Sequence, residues 1–140
     1  MLRNSKDVVI DTNLLVRYLT EDDPQKAKAV DALLDRASKG EIKILMPSVV
    51  IAELAWVLES FYKMAADKIS ELVQAILSTP GVDVQDKWII RAALKLYGSK
   101  GIDLIDAWII EFAREKRANR IYIIDKKHFK GIEEIEIMNP

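Results

Sequence analysis

The stretch VVIDTN, residues 8–13, places three β-branched apolar residues directly before an aspartate, a threonine and an asparagine. This run predicts a first strand over residues 7–11 that is buried on both faces. Asp11 then lies at the carboxyl end of the strand, where it can begin a turn or cap the next helix by accepting backbone N–H groups. The hexapeptide alone leaves open whether Asp11 also has a chemical role.

The composition limits the chemistry available to the chain. Its 140 residues suit one domain over 1–140, with no cysteine and a single histidine, His128. Any metal would therefore be held mainly by oxygen, and Ser-His-Asp chemistry would depend on His128 alone. No signal-like apolar core and no uncharged run of about 18 residues occurs, so we expect a cytoplasmic protein without membrane contact. The net charge of −1 provides no global basic field.

Helical and strand-like segments alternate along the chain. The predicted strands are 7–11, 42–46, 82–84, 121–125 and an edge strand at 134–138, and the predicted helices are 12–19, 24–38, 47–63, 67–79, 86–98 and 103–117. We expect Asp23 to cap the second helix and Gly98 to end the fifth. The alternation predicts an α/β fold, a three-layer α/β/α sandwich around a central, mostly parallel sheet of four to five strands.

Two of the predicted strands end in aspartate, Asp11 after VVI and Asp125 after IYII. If both strands lie near the middle of a parallel sheet, both carboxylates project from the same edge, where ligands bind in such folds. A turn role explains one strand-end aspartate but does not predict a second. The pair therefore indicates a site at this edge.

Three further acids extend the candidate site. Glu53 follows PSVVIA in a segment that is apolar nearly all round, so we expect a largely buried helix in which this carboxylate needs a partner. The alternative is that Glu53 marks the one wet stripe of the helix. Asp103 and Asp106 share a face of the GIDLIDAWII helix; N-capping explains Asp103 well and Asp106 less well.

Brought together, these acids would need a cation. Oxygen-only ligands fit Mg²⁺ or Mn²⁺, and such ions keep water that can be activated for hydrolysis. Asn13 and Thr12 could orient the ligands or contact a phosphate, although a role in the local turn suits Thr12 better.

Cations near the Asp125 edge could hold RNA. The candidates are Arg114, Arg117, Lys126, Lys127 and His128. Cations in the last turn of a helix are also favoured by the helix dipole, so a solvated helix end explains the two arginines equally well. The tryptophans Trp56, Trp88 and Trp108 each lie on an apolar helix face, which indicates core or a dimer interface rather than base stacking.

In order and spacing, DTNLLVRYLTEDDP, the lone Glu of PSVVIAELAWVL, the pair in IDLIDAWI and the aspartate of IIDKKHF resemble the PIN-domain ribonucleases of the VapC toxin type. The resemblance covers essentially the whole chain. It implies a metal-dependent endoribonuclease, usually dimeric, that a small antitoxin inhibits by blocking an acidic pocket.

Carried over by motif, the resemblance makes four acids the catalytic quartet, namely Asp11, Glu53, Asp106 and Asp125. Asp11 and Asp106 would be the most direct metal ligands, with Asp103 assisting and Asn13 as the polar residue beside the first acid. One departure is that Ile123 and Ile124 occupy places where many relatives carry Thr or Ser, which leaves the exact role of Asp125 open.

Two other functions remain open at this stage. An aspartyl-phosphate phosphatase also starts from a strand-end Asp, but its D-x-D pattern would need an acid where Asn13 stands. A non-catalytic PIN-like binding module would not need all four acids. For the nuclease, attack by water on phosphorus predicts products with a 5′-phosphate and a 3′-hydroxyl.

Overall fold

The computed structural model of the chain describes residues 6–124, 129 and 131–140. In chain order its elements are β1 (Asp7–Val9), α1 (Thr12–Thr20), α2 (Pro24–Ser38), β2 (Lys43–Met46), α3 (Ser48–Ser60), α4 (Ala66–Leu77), β3 (Val82–Val84), α5 (Lys87–Lys100), α6 (Leu104–Glu115), β4 (Arg120–Tyr122) and β5 (Glu136–Met138). Helices and strands alternate as expected, and the α/β class is confirmed.

The strands pair as two small parallel sheets. In the first, β2 lies between β1 and β3, with Ile44 opposite both Val8 and Val82. In the second, β4 pairs with β5. The expected single sheet of four to five strands is therefore wrong in strand count, because within the described residues β4 forms its ladder with β5 and not with β1.

The first strand is shorter and less buried than its sequence suggests. Pairing ends at Val9, whose side chain is 68% exposed, whereas Ile10 is buried. The prediction of a strand buried on both faces is wrong for this segment. The physical reason is that β1 forms an edge of its sheet, so its outer side is covered by no strand among the described residues.

The second helix begins and ends as its sequence signals indicate. The Asp23 carboxylate accepts the backbone N–H of Lys26 at 3.2 Å, and Pro24 occupies the first helical position, where its missing N–H costs nothing. Gly40 follows the helix with a φ of 77°, a left-handed conformation that glycine adopts without steric penalty.

The fifth helix runs past Gly98, contrary to expectation, and ends at Lys100 with Gly101 as a left-handed cap. Gly98 instead lies where α5 meets α4. A Cβ built on it would lie 2.8 Å from the Cβ of Ser70, which is closer than real Cβ contacts. The glycine is therefore used for close helix packing rather than for helix termination.

The core lies between the first sheet and the helices. Its fully buried members include Leu15, Ile44, Leu54, Ile90 and Ile110, one from each of five elements. α5 packs against both α4 and α6, and α1 packs against both α2 and α3. None of the described helices has the length and apolar content needed to cross a bilayer.

Candidate functional site

Asp11 lies just beyond the carboxyl end of β1 and is the N-cap of α1. Its Oδ1 accepts the backbone N–H of Asn13 at 3.2 Å, and its side chain remains exposed. The capping role considered from sequence is therefore real, and it leaves the carboxylate facing solvent. Thr12 is buried, which suits a local structural role, whereas Asn13 is exposed.

Glu53 lies in the second turn of α3, and its side chain is exposed. The expectation of a largely buried helix is wrong, since α3 packs only one face, including Ile51 and Leu54, against the core. Val49 and Trp56 are exposed like Glu53 despite being apolar. Glu53 therefore needs no buried partner, and its carboxylate is available to a ligand from solvent.

Asp103 and Asp106 begin α6. Asp103 is its N-cap, because Oδ2 accepts the backbone N–H of Ile105 at 3.1 Å. Asp106 follows in the first turn and is half-buried. The positive end of the helix dipole favours both negative charges. The capping role anticipated for Asp103 is thus observed.

Within the part of the chain that the structure describes, no three Asp, Glu or His side chains form a group that could hold a metal ion. Asp11, Glu53 and Asp106 are thus not brought into such a group. Asp125, the fourth acid of the predicted quartet, lies outside the described residues. In donor chemistry the acids fit a hard divalent cation, since they supply oxygen ligands only. The quartet stays a prediction.

Two of the candidate RNA-binding cations lie within the described residues, and three lie outside them. Arg114 lies in the last turn of α6, 3.7 Å from a Glu111 carboxylate oxygen, and Arg117 is exposed just beyond the helix. Both positions suit the negative end of the helix dipole. Lys126, Lys127 and His128 lie outside the described residues, so their proximity to the acids stays a prediction.

A tyrosine that the sequence did not single out lies beside the start of α6. Tyr97 is buried, and its hydroxyl donates to Glu59 Oε1 at 3.1 Å. A cavity of about 50 Å³ joins these two side chains to Asp103. Burial raises the pKa of Tyr97, and the negative charges of Glu59 and Asp103 raise it further. The only sequence feature that could have pointed to Tyr97 is its place in the apolar stripe of α5.

An apolar groove also runs between α3 and α6, with a volume of about 330 Å³. Val49 on α3 and Ile105, Ile109 and Phe112 on α6 line it, and each of these side chains is exposed. The sequence contained a signal for this exposed apolar surface. The three α6 residues recur at i, i+4 and i+7, and they lie beside a second, buried stripe that includes Ile110. We call this surface the α3–α6 groove.

The chain belongs to the PIN domain family, whose model matches residues 8–134. It is similar to the VapC ribonuclease of Aquifex aeolicus (strain VF5), with 32% identity over 92 residues, which cover 66% of this chain and 67% of that protein. The resemblance inferred from the acidic motifs is therefore confirmed. Among solved structures, the chain is similar to VapBC2 from Rickettsia felis bound to a DNA fragment from its promoter, at 20% identity, 95% and 98% coverage of the two chains and a TM-score of 0.38.

Proposed function

We propose that the protein is an endoribonuclease dependent on Mg²⁺ or Mn²⁺ and is the toxin of a toxin–antitoxin pair. The observation that carries the proposal is the PIN match over residues 8–134, within which Asp11 and Glu53 are solvent-facing carboxylates. The similarity to a VapC ribonuclease supports the choice of RNA as substrate. A cytoplasmic location is part of the proposal.

In this proposal, the ion would be held by Asp11, Glu53, Asp106 and Asp125, with Asp11 and Asp106 as the most direct ligands and Asp103 assisting. A bound ion would stabilise negative charge on the phosphate and assist the activation of water. One of the carboxylates accepts the proton of the attacking water. The water oxygen would bond to phosphorus, the bond from phosphorus to the 3′-oxygen would break, and the departing 3′-oxygen would take a proton from solvent. The products would carry a 5′-phosphate and a 3′-hydroxyl.

In this proposal, positive charge near the acidic site holds the RNA. Arg114 and Arg117 at the end of α6 would contact phosphates of single-stranded or structured RNA, together with Lys126, Lys127 and His128. Phosphate contacts of this kind supply affinity without reading sequence. Binding should therefore weaken steeply as salt is raised.

The test incubates the purified protein with single-stranded and structured RNAs in Mg²⁺ or Mn²⁺. We expect cleavage that stops in EDTA and products with 5′-phosphate ends. Asp106→Asn should abolish cleavage, and Lys39→Ala, just beyond the end of α2, serves as a surface control that should not. Cleavage in EDTA, or 2′,3′-cyclic phosphate ends, would refute the mechanism. Hydrolysis of a simple phosphate monoester instead of RNA would favour the phosphatase.

We further propose a homodimer that forms through the α3–α6 groove. Two copies joined by a twofold axis would each cover the exposed Val49, Ile105, Ile109 and Phe112 of the other. Burying such side chains contributes about 25 cal/mol per Å² of apolar area. Ile109→Lys should shift the protein from dimer to monomer in analytical ultracentrifugation, and a monomeric parent protein would refute the interface.

The antitoxin would be a small protein whose tail covers the acidic pocket. A tail that inhibits there should present basic side chains, because a carboxylate cluster attracts cations and repels acids. Co-expression with a candidate small antitoxin, followed by copurification, tests the partnership. Inhibition that persists after the basic residues of the tail are neutralised would contradict this mode.

A further inference from the structure

We propose that Trp88, together with Arg91 and Lys95 of α5, forms a stacking platform for single-stranded RNA, which extends the substrate site proposed above and rests on that proposal. Trp88 is 76% exposed, more than any other described aromatic side chain. Of the two positions expected for Trp88, core or dimer interface, the core is therefore wrong, and the dimer interface stays a prediction. We call these three residues the α5 platform.

The α5 platform combines an open aromatic face with positive charge. The guanidinium carbon of Arg91 lies 5.8 Å from the centre of the Trp88 ring, a cation–π distance. Residues 88, 91 and 95 are spaced at i, i+3 and i+7, so they share one face of the helix. A base on the indole would thus have cations beside its phosphates, the pairing that proteins use for single strands.

Arg91 is held in place rather than free to swing away. Its Nε donates to Gln74 Oε1 at 3.1 Å, and the Gln74 amide donates back to the Arg91 carbonyl at 2.8 Å. These two hydrogen bonds tie α5 to α4. An aromatic ring backed by a fixed guanidinium loses little conformational entropy when a base binds.

Within the part of the chain that the structure describes, the charge of Arg91 and Lys95 is not neutralised by an ion pair. Among the described residues, no carboxylate oxygen forms a salt bridge with either side chain. Asp67, at the far end of the same groove, accepts the backbone N–H of Lys68. On the opposite side of Trp88, three acids and two cations line a second pocket, namely Asp83, Asp86, Glu115, Lys87 and Lys116. The α4 side has two cations against one acid, so phosphates are favoured on the α4 side of the indole.

The groove between α4 and α5 has room for a nucleotide. Its volume is about 520 Å³, within the usual range for ligand sites of about 300–1,000 Å³. Ser70 and Gly98 line it, and the glycine lets the two helices approach closely. The base would stack on Trp88 at the rim while its backbone follows Arg91 and Lys95.

The position of the α5 platform relative to Asp11 suits one continuous strand. Trp88 lies in the first turn of α5, which begins after the carboxyl end of β3, and Asp11 follows the carboxyl end of β1. All three strands of that sheet are parallel, so both residues lie at the same edge. Two strand spacings separate β1 from β3 by roughly 10 Å.

The test measures binding of a fluorescein-labelled oligouridylate by anisotropy in EDTA, where no cleavage is expected. Trp88→Ala should weaken binding about 5- to 150-fold, the loss of one stacked base, and Trp88→Phe should restore most of it. Trp56→Ala, which removes an exposed tryptophan on α3, is the matched control and should bind normally. Lys95→Ala should lower the slope of log affinity against log salt by about 0.7, whereas Lys39→Ala should not.

A direct readout comes from Trp56→Phe/Trp108→Phe, which leaves Trp88 as the sole tryptophan. Its emission should be quenched by oligouridylate and unaffected by duplex RNA, whose bases present no free face. Wild-type affinity in Trp88→Ala, no binding by the parent protein, or equal Trp88-dependent binding of duplex would overturn the platform. Trp88-dependent binding without cleavage in Mg²⁺ or Mn²⁺ would refute the nuclease and leave the platform standing. Cleavage by the parent protein, with an unchanged KM in Trp88→Ala, would refute the platform and leave the nuclease standing.

Discussion

Substitution of Asp11 can separate the two roles of one carboxylate. As the N-cap of α1 it accepts the Asn13 N–H, a role that needs only an acceptor oxygen. As a proposed metal ligand it must carry a negative charge. Asparagine keeps the acceptor and removes the charge, while alanine removes both. The variants Asp11→Asn and Asp11→Ala therefore predict different combinations of stability and activity.

The magnitudes follow from the cap geometry. The capping hydrogen bond of 3.2 Å faces solvent, so its loss in Asp11→Ala should cost about 1 kcal/mol. For a chain of 140 residues this lowers Tm by roughly 3 °C. Asp11→Asn should remain within a few tenths of a kcal/mol, because asparagine and aspartate are similar N-caps. Both variants should lose at least about 100-fold in cleavage rate, since even outer-shell partners of a metal are worth about 10–100-fold.

Asp23 provides a matched control. It caps α2 through the Lys26 N–H at the same 3.2 Å and does not belong to the proposed acidic site. Asp23→Ala should lose about 1 kcal/mol like Asp11→Ala, yet cleave RNA at the parental rate. Urea unfolding followed by circular dichroism measures stability, and initial rates on a labelled RNA measure activity. If Asp11→Asn cleaved within about tenfold of the parent protein, Asp11 would be a helix cap and no more.

Three further predictions test other parts of the structure. Gly81→Ala should destabilise by about 1–3 kcal/mol more than Gly40→Ala, since both have positive φ but only at residue 81 would the new Cβ meet a carbonyl oxygen, at 2.5 Å; equal losses in urea unfolding would contradict this packing. The free energy of unfolding should fall as pH rises beyond 10.0, because tyrosine ionises in the unfolded chain while folded Tyr97 stays protonated. This loss of stability should be smaller in Tyr97→Phe. Identical pH profiles for the two proteins would exclude Tyr97 as the cause. Asp103→Asn should keep both the α6 cap and most of the cleavage rate, whereas Asp103→Ala should lower Tm by roughly 3 °C; a complete loss of cleavage in the asparagine variant would make Asp103 a direct ligand.

Local signals predicted the helices well because those signals act over a few residues. The Asp23–Pro24 start of α2 and the Asp103 start of α6 depend on side-chain and backbone geometry within one turn. Strand pairing depends on contacts between distant segments, so the number of strands per sheet was wrong. Gly98 shows the same limit. Its own conformation is helical, but the residue that leaves no room for a side chain there, Ser70, lies on another helix.

For the candidate site, sequence identified the residue types more reliably than their surroundings. The exposure of Glu53 could not be read from its apolar neighbours, because the burial of a helix face depends on what packs there. Capping by Asp11 was predictable, since it follows from local chemistry. Whether the same carboxylate also binds metal depends on Asp125 and its neighbours, which no local rule positions.

The exposure of Trp88 was, in contrast, accessible from the periodicity of its own helix. The buried face of α5 consists of residues 89, 90, 93, 94 and 97, which recur with the helical period and form a complete apolar stripe. Trp88 falls outside that stripe and shares its face with Arg91 and Lys95. An aromatic side chain left on a cationic face contributes nothing to the core, so its size requires another explanation. Contact with a flat, anionic ligand provides one, and a nucleotide has both properties.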